Sequence, residues 1–168
     1  MRKERNTGLI LLWVIVAILG VMNIARAVTE KDTVTAWVIC QPGDYVNARA
    51  RPTTKSESIG RLETGDAVEL DGETKDGFAH SDPIHMENGD GWIHAGYLVF
   101  DEPEWKAGAL YRVDANGRVA CRKYIDGPRR CWVVDGSHVQ VFWLTAEWAV
   151  TNKGFIRTEY LVQMEADE

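Results

Sequence analysis

The chain has 168 residues, 26% of them charged, with 19 Lys and Arg against 25 Asp and Glu for a net charge of −6. From Val28 onward the count is 15 against 24, a net −9. Such a balance excludes Coulombic attraction to nucleic acid, anionic lipid or a polyanionic wall polymer, so a ligand must be held mainly by shape and hydrogen bonding.

The first 27 residues differ from the rest. Arg2, Lys3 and Arg5 lead into the uncharged run from Leu9 to Met22, and Ala25-Arg26-Ala27 follows. A basic head, an apolar middle and a small-x-small close form the secretory signal pattern, with cleavage after Ala27. The same residues also read as a retained anchor, an N-terminal hydrophobic helix. Leu9 to Ala25 is 17 residues, the short edge of the roughly 17–25 that span a bilayer. Both readings place the remainder outside the cytoplasmic membrane, secreted or anchored by residues 9–25.

Residues 28–35 are polar and read as a tether. Ala36 to Cys40 is apolar and Gln41-Pro-Gly-Asp44 is a turn cluster. From Tyr45 to Arg51 apolar and polar residues alternate. Val46, Ala48 and Ala50 face one way and Asn47, Arg49 and Arg51 the other, as in a half-buried strand. Short strands follow at Ile59–Leu62 and Ala67–Leu70, then a turn region from Asp71 to Gly77. Phe78–Ser81 is expected to pair with Gly91–His94 across a longer loop. Strands this short, punctuated by Gly, Pro and Asp, indicate a small barrel or sandwich.

Gly91-Trp-Ile-His-Ala-Gly-Tyr-Leu98 returns as Gly154-Phe-Ile-Arg-Thr-Glu-Tyr-Leu161 at an offset of 63 residues. A shared Gly-aromatic-Ile and Tyr-Leu at one fixed offset indicates a duplicated unit. Upstream, Val119–Arg122 aligns with Val46–Arg49, Val133–Gly136 with Leu62–Gly65, and Val139–Val141 with Val68–Leu70. The reading is therefore all-β, with two tandem units at residues 36–100 and 110–162. An acidic, Pro-bearing linker occupies 101–109 and a polar tail 163–168. Units of this size are marginal alone. Packing of one on the other, served by the seven Trp residues, would help. Cys121 and Cys131 lie symmetrically about the Ile125-Asp-Gly127 turn, and paired arms would set them opposite one another. Outside the cytoplasm that favours a disulfide over two buried thiols. Cys40 reads as a small buried residue.

Three motifs in order, Tyr45-Val-Asn-Ala-Arg-Ala-Arg-Pro52, Ile59-Gly-Arg-Leu-Glu-Thr-Gly65 and Gly91-Trp-Ile-His-x-x-Tyr-Leu98, resemble the bacterial SH3-like (SH3b) domain family. The resemblance covers about residues 36–100. The second unit resembles the family more weakly, with Ala120 in place of the Asn and Phe155 in place of the Trp. The resemblance implies small open β-barrels of five or six strands on exported proteins. It implies non-catalytic binding of peptidoglycan through its peptide, or service as a protein-interaction module for a cell-envelope partner.

A groove of aromatics with a few polar groups suits such a peptide. The candidate ligand-binding residues are Tyr45, Asn47, Arg49, Trp92 and Tyr97, the two tyrosines stacking on peptide backbone. The plainer alternative is that Trp92 and Tyr97 close the barrel. His80, Asp82, His85, Glu87, Asp90 and His94 crowd one hairpin, but their spacing fits no zinc signature, and no metal or cofactor is expected. No Ser or Cys nucleophile motif is present, and His138 sits in an expected turn. The chain reads as a binding protein rather than an enzyme.

Overall fold

Alternating sequence becomes two curled sheets in the computed structural model, which describes residues 32–81 and 90–164. The expected signal or anchor helix lies outside the described residues, as do Asp82, His85 and Glu87. Among the described residues no helix is long and apolar enough to cross a membrane.

The first sheet contains β1 (Val34–Val38), β2 (Val46–Arg49), β3 (Ser58–Leu62), β4 (Ala67–Lys75), β5 (Phe78–Ser81), β6 (Gly91–His94) and β7 (Leu98–Val99). The second contains β8 (Glu104–Val113), β9 (Arg118–Arg122), β10 (Arg129–Val134), β11 (His138–Leu144), β12 (Trp148–Thr151), β13 (Gly154–Arg157) and β14 (Leu161–Gln163). The strand order is β3-β2-β6-β5-β4-β1-β7 in one and β10-β9-β13-β12-β11-β8-β14 in the other. Adding seven to each strand of the first gives the second. A 3₁₀ turn, Ala95–Tyr97 or Thr158–Tyr160, precedes the last strand of each.

Alternation decides what is inside. In β2, Val46 and Ala48 are buried while Asn47 and Arg49 face outward. Val46, Ala48, Leu62, Val68, Leu70, Ile93 and Leu98 share one core. Leu62 on one edge strand and Leu98 on the other meet there, so the sheet curls around its own interior. Tyr111, Val113, Val119, Cys121, Val133, Val139 and Ile156 form the equivalent second core.

A third cluster joins the barrels. Ile39 and Val99 of the first pack with Trp148, Val150 and Phe155 of the second, flanked by Trp37, Tyr97, Ile125 and Trp143. From Thr33 onward the chain is one compact unit. The pairing registers show which surfaces meet. Val38↔Leu98 in the first barrel corresponds to Val113↔Leu161 in the second. One residue on, Ile39 and Val99 correspond to Asp114 and Val162, both exposed. His80↔Trp92 likewise corresponds to Val150↔Phe155. The outer face of the second barrel thus lies on the end of the first, a heterologous contact of unlike surfaces.

Three segments differ from the sequence reading. Strand β8 begins at Glu104, inside the stretch expected as linker, and its first residues pair Trp105 with Trp143 and Glu104 with Leu144. Ala107 and Gly108 have φ of 52° and 78°, a kink that lets one strand follow its partner past the irregularity between Val141 and Trp143. The Asp101-Glu-Pro-Glu104 punctuation hid a strand carried by Trp105. Strand β4 runs on to Lys75 through a second irregularity between Leu70 and Thr74. And Gln163, expected in the tail, pairs with Tyr111.

Candidate functional site

Cross-strand partners share a face of a sheet, so the ladder can be read as a map of the first barrel's outer surface. Arg61 stands opposite Asn47, Trp92 opposite Arg49, and His80 opposite Trp92. Tyr45 lies at the entry to β2 and is 46% exposed. The Arg61 guanidinium rests over its ring, 4.3 Å from the centroid. Tyr45, Asn47, Arg49 and Trp92 therefore line one continuous outer face across β2 and β6.

Each of these side chains has local work. The Ser58 hydroxyl donates to Asn47 Oδ1 at 2.7 Å. Arg49 Nη1 donates to the Ser56 carbonyl at 2.7 Å and braces the loop before β3. The half-buried Trp92 ring packs on His80 at 4.9 Å between centroids. Tyr97 is placed differently. Its ring sits 5.5 Å from Tyr124 and 6.3 Å from Phe155, both of the second barrel. Burial raises the Tyr97 hydroxyl's pKa, with Tyr124 adding to the effect.

The second barrel reaches onto this face through its β9–β10 loop. Tyr124 packs edge-on to His94 at 4.6 Å, and the Ile125 N–H donates to the Gly96 carbonyl at 2.9 Å. A Cβ on Gly96 would lie 2.5 Å from the Tyr124 ring, so glycine there permits the contact. His94 is held by the rings of Phe78, Tyr97 and Tyr124. Its Nδ1 accepts from the Gly96 N–H at 3.1 Å, and burial lowers its pKa below the usual histidine value.

The equivalent face of the second barrel is an open groove of about 380 Å³. Arg118, Arg122, Arg157, Ala120, Trp148 and Tyr160 line it. By register these stand where the first barrel has Tyr45, Arg49, His94, Asn47, Phe78 and Tyr97. Arg122 Nη1 donates to the Gly127 carbonyl at 2.7 Å, repeating the Arg49 brace. The cation–π pair recurs with its members exchanged: Arg118 lies over Trp132 at 4.3 Å, in the places of Tyr45 and Arg61. A further groove of about 360 Å³ runs between the barrels, lined by Phe100, Asp101, Ile125, Thr145, Glu147 and Trp148.

Cys121 and Cys131 are Cα partners, as symmetric arms require. The expected disulfide is not formed, and all three cysteines are free thiols. The pairing is irregular between Arg129 and Cys131 and regular from Cys131 onward, and both sulfurs lie at the Lys153 carbonyl, to which Cys121 Sγ donates. Burial, and then the neighbouring Cys131, push the Cys121 thiol up to about 12. Cys40 is the small buried residue expected, its Sγ donating to the Asp44 carbonyl at 3.3 Å.

One cluster was missed in the sequence. Asp71, Glu73 and His80 bring one potential ligand atom each within 4.8 Å of one another. The buried Asp71 carboxylate meets His80 Nδ1 at 2.7 Å. The signal was there in Asp71-Gly-Glu73 facing His80 across the hairpin, but that stretch reads as a turn rather than as a strand.

The fold is that of small SH3-like barrels presenting an outer face of aromatic and polar side chains. Residues 44–99 match the model of the bacterial SH3 domain family. Two solved structures resemble the chain: NlpC1 from Trichomonas vaginalis, at 16% identity and a TM-score of 0.36, and NlpC2 from the same organism, at 15% and 0.36. The similarity covers 83% of this chain but only 50% and 52% of theirs, so the chain spans about half their length. No curated protein matches it.

Proposed function

We propose that the chain is a non-catalytic binding protein of the bacterial cell envelope, held outside the cytoplasmic membrane, whose first barrel engages peptidoglycan through its peptide. The match of residues 44–99 to the bacterial SH3 domain family carries this reading, because domains of that family generally bind the cell wall. The outer face supports it. Tyr45 offers an exposed ring for a peptide backbone, and Asn47 and Arg49 offer polar groups beside it. Trp92 supplies an apolar wall. Tyr97 bounds the face where the second barrel docks.

The net charge of −9 from Val28 onward suits a neutral or zwitterionic peptide better than a polyanion. Full-length protein in detergent, incubated with isolated peptidoglycan and pelleted, should co-sediment. A Tyr45→Ala, Trp92→Ala double variant that still folds should lose about tenfold in affinity, the equivalent of ~1.4 kcal/mol. Retention equal to that of the parent chain removes the assignment.

A second reading is a membrane-tethered scaffold or sensor ectodomain with a protein partner. Exposed aromatics outside the first face favour it, Phe100 at 68% and Trp105 at 51%. An intact Met1 on protein recovered from the membrane fraction, with no retention on peptidoglycan, selects this reading over the first.

A further inference from the structure

The groove on the second barrel differs in chemistry from the face on the first. Three arginines, Arg118, Arg122 and Arg157, line one cavity, in a chain that is otherwise strongly acidic. The first barrel has a single arginine, Arg49, at the equivalent places. Ala120 replaces Asn47 and deepens the floor, while Tyr160 and Trp148 supply apolar walls. Where Tyr124 covers His94 of the first barrel, the second barrel's groove stays open.

The arginines are held in place rather than free to wander. Arg118 stacks on Trp132, Arg157 lies over Trp148 at 4.8 Å, and Arg122 is anchored to the Gly127 carbonyl. The acidic groups facing Arg157 are Asp126 and Glu147, each exposed and 3.7 Å away. Exposed pairs of that length cost little to open. A carboxylate could then be received by forked N–H donors, the geometry guanidinium matches best.

We propose that this groove is a second ligand site, which binds a short peptide by its C-terminal carboxylate. A volume of about 380 Å³ lies at the small end of the roughly 300–1,000 Å³ of ligand pockets. It suits a few residues rather than a folded partner. The chain's net −9 repels an extended polyanion but tolerates one compact carboxylate. The site is independent of wall binding by the first barrel and stands or falls separately.

Calorimetric titration of the full-length protein in detergent tests it, with acetyl-trialanine bearing a free carboxylate, the same peptide as its C-terminal amide, and sodium phosphate. The free acid should bind saturably. The amide should bind about tenfold more weakly or not at all. Arg118→Gln and Arg157→Gln should each weaken binding about five- to tenfold, while Arg61→Gln on the first barrel leaves it unchanged. Absence of saturable binding overturns the site. So does an amide as tight as the acid, or an Arg61→Gln loss equal to that of Arg118→Gln. Phosphate that displaces the peptide at equal concentration overturns the peptide assignment and leaves a simple anion site.

Discussion

The two barrels share a strand order but spend the same positions differently. At the centre of the outer face the first barrel has Trp92, half-buried against His80, and the second has Phe155, fully buried in the cluster that joins the barrels. At the opposite end the roles reverse. Ile39 and Val99 of the first are buried, while Asp114 and Val162 of the second are exposed. Two barrels of one strand order therefore need not use equivalent positions alike. Each barrel gives a different part of its face to the contact: the second buries Phe155, and the first is covered at His94 and Tyr97 by Tyr124. The polarity of each residue follows from that geometry.

The largest test of this asymmetry is a matched pair of truncations. Phe155→Ala should cost about 3–5 kcal/mol by leaving a cavity between the barrels. Trp92→Ala, at the equivalent backbone position, should cost no more than about half as much, because its ring is already partly in water. Chemical denaturation of both variants measures the difference, and equal losses would show that the two positions are not distinguished as described.

A smaller effect is expected at the 3₁₀ turns. Gly96→Ala would place a Cβ against the Tyr124 ring and 3.1 Å from the Ile125 carbonyl, and should cost about 1–3 kcal/mol. Glu159→Ala at the equivalent place in the second barrel is exposed and should stay within about 0.5 kcal/mol of the parent. Melting curves that move together for the two variants would mean that the docked loop adds nothing.

Most of the fold was legible because strand alternation has a period of two. Val46 and Ala48 against Asn47 and Arg49 fixed the inner and outer faces of β2, and the 63-residue offset aligned Gly91–Leu98 with Gly154–Leu161. The Cys121↔Cys131 pairing was also correct as a register. The two sulfurs also lie together, at the Lys153 carbonyl, but as thiols rather than as a bridge. The docking surface was not legible either. Nothing in Ile39, Val99 or Phe155 says whether an apolar residue at the end or on the face of a barrel meets its own core or a neighbour. Tyr97 shows the same limit: its sequence position marks the family motif, while its surroundings are set by Tyr124, 27 residues further on. Strand β8 was obscured because Pro103 and three acids outweighed Trp105.

The exchanged cation–π pairs offer a finer probe. Arg61→Ala in the first barrel and Arg118→Ala in the second should each destabilise by about 0.5–1 kcal/mol, since both pairs are exposed. A swap of both members in one barrel, Tyr45→Arg with Arg61→Trp, should recover most of the stability that either single change loses. Failure of the swap to do so, in a double-mutant cycle, would show that the exchange in the natural sequence is coincidental.

The smallest expected effect concerns pH, and it again separates the barrels. His94 and Arg157 are equivalent, one titratable and the other always charged. Burial among Phe78, Tyr97 and Tyr124 lowers the His94 pKa in the folded state. As pH falls through the unfolded value near 6.5, the unfolded chain takes up a proton that the folded chain resists. The stabilisation is thus complete above that value and declines below it. Protonation also removes the Nδ1 lone pair that accepts the Gly96 N–H, loosening the turn on which Tyr124 rests. Thermal midpoints at pH 5 and pH 7.5 should therefore differ less in His94→Asn than in the parent chain, because a side-chain oxygen can still accept at that turn without titrating. Arg157→Gln should leave the pH difference as it was. A parent chain and His94→Asn variant with the same acid sensitivity would place the titrating group elsewhere, and would remove pH from the list of properties in which the two barrels differ.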